Sequence, residues 1–160
     1  MRLYEMENDK GSYAAVTFSP ETVEALKAFQ YDNNIPNPLN PDEFHSTVMF
    51  SRKYIPTFKA LGALQNWTGR FTGWDVFPSD DDNALVMKYE CVELAERFDK
   101  IMSEYEATWD HEQFIPHVTL SYDIGDMDVK QLPKYDGPIV IINEHAEDLD
   151  LSTNWADDHK

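Results

Sequence analysis

Cations and cysteines are scarce in this sequence, and it has no long apolar run. Thirteen Lys and Arg stand against 30 Asp and Glu, a formal charge of −17 over 160 residues. A protein that grips long DNA or RNA draws most of its affinity from neutralising phosphates, and this chain would have to overcome its own field to do so. The same field opposes an anionic membrane surface. A lone cysteine, Cys91, leaves no internal disulfide framework and no cysteine-built zinc site. Apolar runs such as Ile139–Ile142 have strand length rather than membrane-spanning length. Glu5, Glu7 and Asp9 stand where a signal peptide would need apolar residues. These absences predict a soluble protein of a reducing cytoplasm, with neither long nucleic acid nor membrane as partner.

What is present argues for a folded domain. Apolar residues make up 42% and aromatics 13%, enough to fill a core. A single domain over residues 1–160 is expected, with an acidic tail from about residue 144 to 160.

Ser12–Phe18 reads as a strand, and Ser19-Pro20-Glu21 as the capped start of a helix whose face carries Val23, Leu26 and Phe29. Three prolines in the NNIPNPLNP stretch end that helix. Phe44–Phe50 is a second strand. Tyr54–Gln65 is ambiguous between loop and short helix, and Asn66–Phe77 reads as extended, with Gly69 and Gly73 permitting bends. Ala84–Glu90 is a strand, and Val92–Trp109 the clearest helix, with Leu94, Phe98, Ile101, Met102, Tyr105 and Trp109 at helical spacing. Pro116–Tyr122 and Ile139–Asn143 close the series as strands. The order predicts an α+β fold of two similar halves, each a small antiparallel sheet backed by one helix.

The halves share one sequence feature. Phe44-His45-Ser46-Thr47-Val48-Met49-Phe50 and Pro116-His117-Val118-Thr119-Leu120-Ser121-Tyr122 each carry His-x-Thr on a strand that is the third element of its half. Side chains alternate along a strand, so His45 points with Thr47 and His117 with Thr119, opposite their apolar neighbours. One such string says little, since a lone strand histidine is usually structural. Two in equivalent places, able to face a shared cleft, suit phosphodiester cleavage. Imidazole titrates near neutral pH, so one ring can take a proton from a nucleophile while the other protonates the leaving oxygen. The Thr hydroxyls can bond the non-bridging oxygens where charge develops. This chemistry needs no metal or other cofactor, and which histidine is base and which is acid stays open.

With both motifs in view, the sequence resembles the 2H phosphoesterase superfamily, named for two His-x-Thr motifs in a bilobal fold, over about Ser12 to Ile142. Within it, the acidic, Trp-rich chain is most similar to the bacteriophage anti-CBASS phosphodiesterase family, which degrades the cyclic di- and trinucleotide messengers of a bacterial immune system. The resemblance implies an active-site cleft between two sheets and His45, Thr47, His117 and Thr119 as its catalytic tetrad. It also implies a small cyclic oligonucleotide as substrate and, for a phage protein, the host cytoplasm as location.

Three residues are candidates for holding the bases. Trp74, beside Gly73, could offer an indole face for stacking, and Tyr13 on the first strand could stack or hydrogen-bond. Glu144, at the head of the EHAEDLD stretch, could accept from a nucleobase amine. Trp155 in the tail is a candidate lid. Two other readings remain open: a 2H enzyme acting on RNA ends, and a non-catalytic acidic protein that binds a nucleotide or mimics nucleic acid. Base preference, linkage range and oligomeric state are not specified by these residues.

Overall fold

A computed structural model describes residues 10–79 and 82–151. Strand β1 (Lys10–Phe18) leads into helix α1 (Pro20–Asp32), where the Ser19 hydroxyl accepts from the Thr22 amide at 3.2 Å and Pro20 fills the first helical position. A 3-10 turn (Pro41–Glu43) precedes β2 (Ser46–Ser51), followed by β3 (Gly62–Thr68), β4 (Arg70–Ser79) and β5 (Asp82–Glu90). Helix α2 (Val92–Tyr105), β6 (His117–Ser121), a second 3-10 turn (Val129–Gln131) and β7 (Val140–Asp150) complete the described chain. The ambiguous Tyr54–Gln65 stretch is irregular until β3 begins at Gly62, and the extended reading of Asn66–Phe77 is met by β3 and β4. Between those two strands, Gly69 carries the chain from one sheet to the other. A Cβ there would lie 2.7 Å from the Tyr89 ring and 2.9 Å from the Ile139 side chain, so only glycine passes.

Two antiparallel sheets form, ordered β2-β1-β7-β3 and β4-β5-β6. Two antiparallel sheets and two helices are present as expected, but their elements are not divided between the halves of the sequence, in two respects. Strand β7 comes from the second half of the sequence but lies inside the first sheet, between β1 and β3. The helices also cross over. Gln30 of α1 donates to the carbonyl of Leu120 in β6 at 2.9 Å, and Phe29 stacks on Trp74 of β4 with centroids 4.7 Å apart. In return, Arg97 of α2 pairs with Glu144 of β7 in the first sheet. Leu26, Phe29, Leu94 and Ile101 join Val16, Met49, Leu85, Met87, Val118 and Leu120 in one continuous core. Each large aliphatic side chain buried there contributes about 1.5–3 kcal/mol.

Two boundaries also differ from the sequence reading. Helix α2 stops at Tyr105 rather than Trp109, because Glu106 adopts a left-handed conformation with φ 54°. Trp109 then returns against Phe98 with ring centroids 5.1 Å apart. The stretch expected to begin an acidic tail at residue 144 is ladder-paired strand as far as Asp150, with Leu149 wholly buried. Trp155 lies outside the described residues.

Candidate active site

His45 immediately precedes β2, and His117 is the first residue of β6. The backbone captures both rings in the same way. Nδ1 of His45 lies 2.8 Å from the Glu43 carbonyl, and Nδ1 of His117 lies 2.9 Å from the Ile115 carbonyl. A carbonyl can only accept, so Nδ1 carries the proton in both rings and Nε2 is left as the atom that exchanges one. The two strands meet where the Ser46 hydroxyl donates to the His117 carbonyl at 2.6 Å, itself accepting from the buried Tyr89 hydroxyl at 2.8 Å. This seam binds the two motif strands, and with them the two sheets, side by side.

Around these rings the surroundings differ. Thr47 is buried, and its hydroxyl shares a 2.9 Å hydrogen bond with the hydroxyl of Tyr13. Burial pushes the Tyr13 phenol well above its usual range, so it stays neutral. Thr119 on β6 is half-buried, as is His117, which has Phe77 edge-on at 5.1 Å. Burial is the main cause that pushes the His117 pKa below its ordinary value. The Ile115 hydrogen bond works against that shift, while the nearby rings of His45 and His111 add to it. A neutral His117 is therefore favoured at physiological pH.

Each histidine opens on its own recess. The one beside His45 holds about 580 Å³ and is lined by Tyr13, Thr17, Asp42, Glu43, Phe44, Tyr122, His145 and Glu147. The one beside His117 holds about 620 Å³, between Phe77 and the 109–115 loop.

Strand register decides which expected contacts face the cleft. Direct antiparallel partners share a sheet face. Ala15 pairs with Thr47 and with His145, and Tyr13 pairs with Phe50 and with Glu147, so these residues share the Thr47 face of the first sheet. Tyr13 is where the sequence reading put it, beside the cleft. Glu144 is not: it pairs with Val16 on the opposite face. Its carboxylate accepts from Arg97 at 2.8 and 2.9 Å and from the Leu61 amide at 2.9 Å, which occupies it in helix–sheet packing. Trp74 is likewise turned away. It pairs with Met87, which pairs with Val118, on the face opposite His117 and Thr119. Its indole N–H donates to the Pro133 carbonyl at 2.8 Å while the ring packs on Phe29 and Phe71.

Three cleft residues escaped the sequence reading: Tyr122, His145 and Glu147. The last two were hidden in a segment taken for tail, where alternation was the available signal. Tyr122 follows a bulge. Val86 pairs with Thr119 but Leu85 pairs with Ser121, so one extra residue in β6 returns Tyr122 to the face of His117 and Thr119.

The family profile described as Anti-CBASS protein Acb1 matches residues 10–158. This chain belongs to the Acb1 family. Among Acb1 proteins, that of Acinetobacter phage Ac42 is 37% identical over 147 residues, covering 92% of this chain and 95% of the relative. That of Enterobacteria phage T4 is 31% identical over 150 residues, covering 94% of each. Solved structures extend the likeness to the fold. Escherichia coli LigT complexed with 3′-AMP has a TM-score of 0.51 at 14% identity, over 86% of each chain. TT0787 of Thermus thermophilus scores 0.50 at 16% identity, over 84% of this chain and 82% of the other. This member of the Acb1 family thus carries the 2H phosphoesterase fold. No helix among its described residues is long and apolar enough to cross a membrane.

Proposed function

We propose that this chain is a metal-independent phosphodiesterase that cleaves 3′–5′ bonds in cyclic di- and trinucleotide immune messengers, in the cytoplasm of a phage-infected bacterium. The observation that carries the reading is the matched pair of Nδ1-anchored histidines on strands joined through Ser46, in a chain of the Acb1 family.

The asymmetry of the pair suggests an order of events. His117, held neutral by burial, accepts the proton of a ribose 2′-OH at Nε2. The freed oxygen attacks the adjacent phosphorus, His45 protonates the departing 5′-oxygen, and a 2′,3′-cyclic phosphate forms. With the roles reversed, water opens that ring. Thr47 and Thr119 donate to the non-bridging oxygens as charge gathers there. Tyr13, by bonding Thr47, sets the direction of its hydroxyl. For the bases, exposed Tyr122 offers a ring to stack on, and the Glu147 carboxylate an acceptor for an exocyclic amine. Trp74 and Glu144 serve the packing of the two lobes.

The test is to incubate the protein, in chelator, with a cyclic dinucleotide and with its 2′-deoxy analogue. Linear products passing through a 2′,3′-cyclic phosphate are expected from the ribose substrate alone. Turnover of the deoxy analogue, or loss of all activity in chelator, would sink the mechanism. Activity confined to 2′,3′-cyclic phosphates on RNA ends would move the chain to that branch of the superfamily. Binding without turnover would make it a nucleotide sink.

A further inference from the structure

An anion in the recess beside His45 would find no lysine or arginine among its described lining residues, which include the acids Asp42, Glu43 and Glu147. Lys88, the partner of His117 across the second sheet, lies 3.5 Å from Asp75. A cyclic dinucleotide brings two phosphates at once, and only one is being cut. The other enters this acidic recess needing a donor that can carry positive charge.

One side chain stands where such a donor is needed. The register aligns Thr47, Ala15 and His145 in a row across β2, β1 and β7. Adjacent strands lie about 4.8 Å apart, so the His145 backbone is about 10 Å from that of Thr47. Ala15 between them is buried, and beyond it His145 lines the same recess as His45. His145 is exposed to that recess rather than packed into the core. In the neighbouring row, Tyr13 pairs with Glu147, and both join His145 in the lining of that recess.

We infer that His145 binds the non-scissile phosphate of a cyclic substrate, which makes it a specificity residue for rings with two or more phosphates. The inference rests on the cyclic-nucleotide reading above. An imidazole protonates readily beside a phosphate, and a charge-assisted N–H to phosphate bond is stronger than a neutral one. A substrate with one phosphate leaves this group idle.

The experiment compares 3′,3′-cyclic di-AMP, with two phosphates, and the linear dinucleotide ApA, with one. Replacing His145→Ala should raise KM for the ring on the order of tenfold, the loss of one charged hydrogen bond, with kcat nearly unchanged. KM for ApA should stay within about twofold of wild type on the same argument. His145→Lys, which restores a cation, should recover most of the ring's KM. An equal change for both substrates, an unchanged KM for the ring, or a loss confined to kcat would overturn the assignment. Wild-type protein that cleaves ApA but not the ring would instead overturn the cyclic-substrate reading, and the assignment with it. Matching melting curves of variant and wild type would show that any change is not a folding defect.

Discussion

At His45 the imidazole leans on the Glu43 carbonyl among acids and tyrosines, whereas at His117 the same Nδ1 bond, to Ile115, is made beside Phe77. The threonines differ in burial, Thr47 buried and tied to Tyr13, Thr119 half-buried on its strand. A duplicated motif offers two chemically identical rings, and concerted acid–base catalysis requires them to be unlike. The protein leaves both motifs intact and changes what surrounds them. Partial burial favours the neutral form of His117, whereas His45 stands beside Tyr13, Tyr122 and Glu147.

The comparison breaks most directly at the rings. His45→Ala and His117→Ala should each lower kcat on the order of 10³-fold, measured in single turnovers, because each proton transfer is needed in the same step. If one variant retained near wild-type rate, the shared-labour account would fail.

A smaller effect separates the threonines. Thr47→Val should cost about 1 kcal/mol of stability in urea unfolding, through loss of its bond to Tyr13. Thr119→Val should change stability by under about 0.5 kcal/mol while still slowing the reaction. Equal destabilisation by the two would mean that their environments are more alike than their burial indicates.

The smallest effect concerns pH. With His117 as the proposed base, which must be neutral to act, activity should rise with pH through its pKa, and that acidic limb should lie below the ordinary histidine value. Phe77→Ala admits water to the ring, relieves its desolvation and moves the limb upward, by roughly a few tenths of a unit. A limb that stays in place or moves down would detach Phe77 from the burial of His117.

Much of this was legible in the sequence because it depends on short-range rules. The Ser19 cap, the alternation that turns His45 with Thr47, and the core face of α2 each follow from residues within a turn or two. What was missed depends on partners far along the chain. Whether Glu144 or Glu147 faces the cleft is set by pairing with β1, and a segment dense in acids hides its own period. Trp74 was misplaced for the same reason, since an aromatic on a strand shows its face only when the neighbouring strand is known. Tyr122 depended on a single bulge, and the early end of α2 on a left-handed glutamate with no glycine to mark it.

The place of β7 between β1 and β3 also bears on how the protein comes into being. A ribosome delivers β1, β2 and β3 early, but the strand that joins β1 to β3 is the last of the described strands to appear. Until then the first sheet is split, the edge of β1 is open, and Arg97 awaits its carboxylate. Contacts of such long sequence separation form slowly, and the exposed edge is prone to wrong pairing while it waits. The face of that sheet that carries Thr47, His145 and Glu147 is thus assembled in one late step. A nascent chain stalled before β7 would hold both His-x-Thr motifs and still have no finished cleft.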